Sequence, residues 1–361
     1  LNATWLTNLT VPPLDSNLIS RLFSRTLLLK DEEKIKFIAK EFHLRRVQMN
    51  YIQPEKKNDE LARKFRIEGN NILFNHSTRI AILCNPPATE IYTKSIAYAT
   101  PQSLEQSLAY GDRSAVSMMY QRYPHCLLDI DRALHIGYPD ELLAVLYSRR
   151  LRCLATMERP QEDIDVALKK TRDALMWMEP GSKERKQIQE LLDSGIYHIN
   201  PLVNYEPPAA PCRCIIPEIE GPFQEIRDAE AIGFRYSPDS GRYLVATRDI
   251  QPGEIIAKTD VYVKMLAMQE RCYLVCAICG EKTSIGVPCE ECVNTVYCSD
   301  YCQDIAWHEY HEFECQLLNI LTKLGVPVGY RIAIRTTLKA ISIAGGVDEL
   351  KARIDDIDRA E

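Results

Sequence analysis

Nowhere does the chain carry an uninterrupted apolar run near the ~18 residues that a membrane-spanning helix needs, and no basic-then-apolar leader opens it. Neither a membrane partner nor secretion is expected, and the sequence reads as soluble and intracellular, cytoplasmic or nuclear. Positive charge is also in short supply. Against 50 Asp and Glu stand 44 Lys and Arg, a formal charge of -6. A protein that works by neutralising phosphates needs the opposite balance, so no direct nucleic-acid partner is expected. The basic residues near Lys56 are too few to read as a nuclear import signal. Three Asn-x-Ser/Thr triplets, at Asn2, Asn8 and Asn75, are read as unmodified in an intracellular chain.

What is abundant is cysteine. Thirteen are present, and eight of them fall between Cys272 and Cys315. In a reducing compartment such a cluster binds metal rather than forming disulfides. The spacing is regular: Cys276-x2-Cys279, Cys289-x2-Cys292, Cys298-x3-Cys302 and His311-x3-Cys315. Eight soft donors suffice for two closed tetrahedral zinc sites, which leave no coordination position for a substrate and so point to architecture. Cys298 with Cys302, and His311 with Cys315, are four apart; on helical segments each pair shares a face and can grip one ion. His308 lies seven residues before Cys315, about 10 Å along a helix, so His311 is taken as the ligand and His308 as a surface residue. Trp307 and Phe313 are expected to pack a miniature core. A RING ubiquitin ligase, with its histidine near the third ligand, is disfavoured by the order of spacings.

Ahead of the cluster, between about Leu61 and Met178, apolar residues recur at helical spacing in segments of roughly 34 to 41 residues, the range of tetratricopeptide repeats. Tyr92 to Ala97 corresponds to Leu128 to Ala133, and Leu108 to Ala115 to Val145 to Leu151; Gly137-Tyr-Pro139 supplies a helix stop. Residues 75 to 89 interrupt the first repeat where a short turn would suffice. Arg66 and Asn70 are one helical turn apart and Arg149 can face them, part of the cation set with which some repeats clamp a carboxylate tail. Asp112 would repel such a ligand, so these charges are read as having a solvated or structural role, the usual fate of charges on a helix face. The repeats argue for a peptide-binding surface without naming the peptide.

Residues 181 to 222 read as a proline-rich linker, opened by a helical stretch near Glu184 to Leu192. Cys212-Arg-Cys214 is too close for a standard zinc pair and is read as incidental. From Ile232 the period becomes that of strands: Gly233 to Tyr236, a turn at Asp239-Ser-Gly241, Arg242 to Thr247, a type II turn at Gln251-Pro-Gly-Glu254, and a further strand from Ile255 to Leu266.

The cysteine-rich segment resembles the MYND zinc finger through Tyr297-Cys298-Ser299, Cys302-Gln303, Trp307 and His311-Glu-Phe-Glu-Cys315. The stretch Gly241-Arg-Tyr-Leu-Val-Ala-Thr-Arg-Asp-Ile-Gln-Pro-Gly-Glu254 resembles the opening of a SET domain. A SET domain interrupted by MYND marks the Smyd protein-lysine methyltransferase family, and helical repeats ahead of it resemble its Smyd4-like branch. The resemblance implies a multidomain α+β chain: an N-terminal helical region to residue 60, tetratricopeptide-like repeats over 61–180, and the linker over 181–222. It continues with the first part of a β-rich SET domain over 223–270, the finger over 276–315, and a helical SET insert over 316–361.

The resemblance further implies interleaved zinc binding, with Cys276, Cys279, Cys298 and Cys302 on one ion and Cys289, Cys292, His311 and Cys315 on the other. It implies S-adenosylmethionine held in the complete protein near Gly241, Arg242, Tyr243 and Leu244, although Tyr243 stands where the family has a second glycine. Implied partners are protein substrates or peptides, including proline-containing peptides, histones or histone deacetylases. The family's Asn-His-Ser/Cys segment, its late tyrosine and its Cys-rich closing zinc site follow the insert. The expectation is therefore that the stretch ending at Glu361 is an inactive fragment with its catalytic residues further on. Asn75-His76-Ser77 spells that triplet in a helical context, where it is coincidental. The rival reading is a non-enzymatic scaffold or transcriptional co-regulator that recruits partners through its finger and repeats.

Overall fold

A computed structural model describes residues 54–75, 87–199, 230–257, 261–267, 271–323 and 325–359. Most of 1–60, most of the 75–89 interruption, His76-Ser77 and Cys212-Arg-Cys214 lie outside them. The described residues form two compact units, one from 54–199 and 265–338, the other from 230–264 and 339–359.

The first unit opens with seven helices: α1 (Asp59–Asn75), α2 (Pro87–Tyr98), α3 (Leu104–Met119), α4 (Tyr123–Ile136), α5 (Asp140–Thr156), α6 (Gln161–Ala174) and α7 (Lys183–Ser194). Local chemistry sets their ends. Ser103 and Ser182 cap α3 and α7 by accepting from the backbone N–H of Gln106 and Arg185. Pro124 sits in the first turn of α4, where no N–H is needed, and Gly137 ends that helix at φ +108°. The helices pack as consecutive pairs, α1 with α2, α3 with α4 and α5 with α6, and α2 leans on α3. Two glycines allow the close approach. A Cβ on Gly69 would lie 2.8 Å from the Tyr92 ring, and one on Gly111 would lie 2.6 Å from the Tyr138 ring.

The core between α3, α4 and α5 is apolar, built on Ala109, Cys126, Ile130, Ala133, Leu146 and Cys153. Through it runs one wholly buried charge pair. Arg113 of α3 donates to both carboxylate oxygens of Asp129 in α4, at 2.9 and 2.7 Å, and to Thr93 Oγ1 in α2 at 2.9 Å. The same Nη1 also reaches the carbonyl of Gly286 at 2.9 Å, 173 residues away in the cysteine-rich segment. Neighbouring contacts repeat the theme: Arg132 donates to the Ile285 carbonyl, and His125 lies against Ser284. Val293, Val296, Cys272 and Tyr273 share a core with Ala62, Ala97 and Tyr98. Helices and cysteine-rich segment are therefore packed into one body.

Of the two roles open to these charges, solvated or structural, the structural one is found. Arg66 pairs with Glu105 and Asp112, Asn70 donates to Asp112 and accepts from Tyr92, and Arg149 donates to the Gly111 carbonyl and Ser114. Arg66 is 17% exposed. Burial holds the Asp112 carboxyl above its ordinary range, opposed only in part by Arg66. The cations are neutralised internally, because pairing within the stack satisfies groups that packing has already desolvated.

The cysteine-rich segment has little regular structure: β3 (Val287–Pro288) pairs antiparallel with β4 (Val296–Tyr297), then come α8 (Asp300–Ala306), a π-helical turn at Trp307–His311 and α9 (Glu312–Lys323). Two further helices follow, α10 (Val328–Ala344) and α11 (Val347–Arg359).

In the second unit β1 (Ile232–Ser237) pairs antiparallel with β2 (Gly241–Ala246), from Ile232 opposite Ala246 to Ser237 opposite Gly241. The three-residue loop closes on Gly241 at φ +66°, a left-handed position that suits glycine. The turn at Gln251–Glu254 forms, with Gly253 at φ +84° and Glu254 N–H on the Gln251 carbonyl. The strand expected from Ile255 to Leu266 does not form among the described residues, because no ladder partner lies alongside to satisfy its backbone. The β-rich character expected over 223–270 is thus confined, among the described residues, to one two-stranded hairpin. No described helix is long and apolar enough to cross a membrane.

The buried pair generates a test. Arg113→Ala leaves the buried Asp129 carboxylate with only the longer contact to Arg132, 3.6 Å away, and chemical denaturation is expected to show a loss of about 3 kcal/mol. Arg113→Leu combined with Asp129→Leu is expected to lose much less.

Candidate metal centres

The eight candidate ligands gather into two groups, Cys276, Cys279, Cys298 and Cys302 in one, and Cys289, Cys292, His311 and Cys315 in the other; within each, all donor atoms lie within 4.8 Å of one another. A tetrahedral zinc ion with bonds near 2.3 Å needs sulfurs about 3.8 Å apart. The structure gives 3.7 Å for Cys279 to Cys298, 3.5 Å for Cys298 to Cys302, 3.8 Å for Cys289 to Cys315, and 3.7 Å from Cys292 to His311 Nε2. Donor type, number and edge length all fit zinc.

Each ligand is delivered by a local device. Cys276 and Cys279 lie in a tight turn, closed by the Gly280 N–H on the Cys276 carbonyl and the Cys276 N–H on the Glu281 carbonyl. Cys298 follows β4, and Ser299 caps α8 by accepting from Cys302 N–H at 3.2 Å, which brings Cys302 back to Cys298. Cys289 N–H is held by the Thr295 carbonyl across the β3–β4 hairpin. The π-helical turn spends more residues per revolution than an α-helix. His311, Glu314, Cys315 and Leu318 then share the inner face. Phe313 falls outside that stripe and is 63% exposed, so it does not pack the miniature core. Trp307 does, edge-on to the His311 ring with Tyr310 and Ala306 alongside. His308 is exposed and turned to the Asp304 carbonyl at 2.8 Å.

The two sites differ electrostatically. In the first, Cys279, Cys298 and Cys302 remain part-exposed; in the second all four ligands are buried. The Cys292 thiol is held well below its ordinary range by hydrogen bonds from Cys289 and Cys315, against the opposing effect of burial. Desolvation pushes Cys279 and Cys298 up to about 11. A thiolate is the ligand, so the ion must displace these protons and binding weakens on acidification.

Sequence reasoning missed the groups behind the ligands. Glu314 Oε2 lies 3.7 Å from His311 Nδ1, on the side of the ring opposite Cys292. Arg335 of α10 grips that carboxylate at 2.8, 2.9 and 3.1 Å and donates to the Ala277 carbonyl, inside the first site's turn. Burial pushes the Glu314 carboxyl up, but His311 and Arg335 hold it below the usual range. At 3.7 Å the carboxylate acts on the ligating imidazole through charge rather than through a hydrogen bond. No spacing rule marks Arg335, whose partner is 21 residues away.

The candidate cofactor residues lie in the second unit. Gly241 opens β2, Arg242 pairs with Tyr236 and Tyr243 with Arg235, and Leu244 faces Phe234. Tyr243 is 41% exposed and Leu244 49%. A Cβ at Gly241 would meet nothing within 4 Å, so the backbone there is open to approach, but the hairpin residues do not by themselves enclose a ligand.

This geometry defines a two-site, cross-braced zinc finger of the MYND class, and the MYND finger family model matches residues 276–315. Over 318 residues the chain is 28% identical to "Protein-lysine N-methyltransferase SMYD4" of Gallus gallus, a match covering 79% of this chain and 40% of that protein. The proteins of the same name from Homo sapiens and Pongo abelii are each 30% identical, covering 70% of this chain and 34% of theirs. The chain belongs to the SET and MYND domain family, in its Smyd4-like branch. It spans about a third to two fifths of the length of these relatives. No solved structure matches it significantly.

Elemental analysis is expected to return two zinc ions per chain. Cys298→Ser and His311→Ala should each reduce that count by about one, and Glu314→Gln should keep both ions but weaken one of them about tenfold or more in chelator competition.

Proposed function

We propose that the whole protein is an S-adenosylmethionine-dependent protein-lysine N-methyltransferase and that residues 1–361 contribute its recognition and scaffolding parts. The alignment with relatives named as protein-lysine methyltransferases, running over 70–79% of this chain, carries that reading. The hairpin at β1–β2 corresponds in this reading to the opening of the SET domain, and the backbone from Gly241 to Leu244 would border the cofactor. S-adenosylmethionine would supply an electrophilic methyl group. Transfer requires the lysine amine desolvated and aligned at near-attack distance. No step is assigned to the hairpin residues; Tyr243 and Leu244 are open to solvent.

The helix pairs of 61–180 are proposed to be tetratricopeptide-like repeats. Their internally neutralised cations argue against capture of a carboxylate tail on the Arg66–Asn70–Asp112 face. The finger is proposed to bind proteins, with proline-containing peptides the chemistry best suited to a shallow preformed groove. Histones and histone deacetylases are proposed as partner classes, in the cytoplasm or nucleus.

A second reading, a non-enzymatic scaffold or transcriptional co-regulator, is favoured by one observation: a half-exposed tyrosine stands at 243, where close backbone approach to a cofactor is easiest with glycine. Calorimetry with S-adenosylmethionine on the full-length protein separates the two. Saturable binding, with methyl transfer from radiolabelled cofactor to a lysine-containing protein, is the expected result; no binding favours the scaffold.

A further inference from the structure

The second zinc site has a neighbour from outside the finger. Lys57 precedes α1, and its Nζ donates to the Cys289 carbonyl at 2.6 Å and to the Ala97 carbonyl, near the end of α2, at 2.8 Å. It is joined to a ligand residue 232 positions away, and it lines an open cleft with Cys292, Cys315, Glu290 and Asn319.

Charge gives this contact a meaning. Three thiolates and a neutral imidazole around a divalent ion leave about one surplus negative charge, and four thiolates leave about two. Water can screen the first site, three of whose ligands are part-exposed. The second site is buried on all four ligands, and a buried net charge is costly unless a counter-charge is supplied internally. Arg335 does not supply it, because Glu314 already takes up its charge. Glu290, exposed at the mouth of the cleft, adds to the negative side.

We propose that Lys57 is an outer-sphere component of the second zinc site: its ammonium balances the surplus charge of the Cys289–Cys292–His311–Cys315 set and covers the side of that set facing the cleft. Zinc retention by the finger then depends on a residue of the helical stack, and the finger is not an autonomous metal module.

The test follows zinc release from the purified chain to a chromophoric chelator in excess. Two phases are expected, the faster from the part-exposed first site; Cys302→Ser, which removes a first-site ligand, should abolish the fast phase and so assigns it. Lys57→Met keeps the aliphatic stem and removes the charge, and should accelerate the slow phase about tenfold while sparing the fast one. Glu290→Gln removes a competing negative charge at the surface and should slow the same phase. A strut without an electrostatic role would leave Glu290→Gln at the parental rate. An unchanged slow phase in both variants overturns the proposal, as does equal acceleration of both phases by Lys57→Met with loss of helical circular dichroism. Should Lys57→Met fail to fold, the Glu290→Gln rate alone decides. Fewer than two zinc ions in the parental chain would overturn the metal assignment itself, a separate failure.

Discussion

The finger cannot hold itself together by hydrogen-bond ladders, since β3 and β4 are two residues each. Metal coordination is the constraint on which the finger depends. Two tetrahedra cross-link four short segments, and each takes one pair from either half of the sequence: Cys276–Cys279 with Cys298–Cys302, and Cys289–Cys292 with His311–Cys315. Interleaving means that neither site can assemble from contiguous chain. The β3–β4 hairpin, which bridges them, is fixed only when both are complete.

That rigid knuckle is set on the helices by a charge with no exposure to water. Arg113 spends its guanidinium on Asp129, Thr93 and the Gly286 carbonyl, so one side chain ties α2, α3 and α4 to the finger. Gly286 is required on the other side of the contact, because a Cβ there would lie 2.3 Å from Val296 Cγ1. On the far flank Arg335 joins Glu314 behind His311 to the Ala277 carbonyl, so α10 braces both metal sites at once. Helices before and after the finger thus act as its walls.

Much of this was legible in the sequence, and the reason is locality. The stop at Gly137 announces itself, because caps and stops act over three or four residues. The choice of His311 over His308 followed from helical rise alone. The pairing partners of Arg113, Lys57 and Arg335 were not legible, since they lie 173, 232 and 21 residues distant and no periodicity marks a charge destined for burial. Phe313 was misread because an aromatic beside ligands suggests a core, whereas the π-helical turn fixes which face points inward. Among the described residues the strand expected after Ile255 does not form, for a related reason: propensity describes a segment, but a ladder needs a neighbour.

The loop that carries Gly286 has a practical corollary. Its backbone carbonyls at 285 and 286 are consumed by arginines of the helices, so a piece cut at the finger's own borders would leave those acceptors, and the apolar surface of Val293 and Val296, facing solvent. A portion that keeps these contacts has to include Ala62 of α1 and Ala97 of α2 as well as Arg113 and Arg132. Anyone grafting this finger onto another scaffold would be transplanting half of an interface.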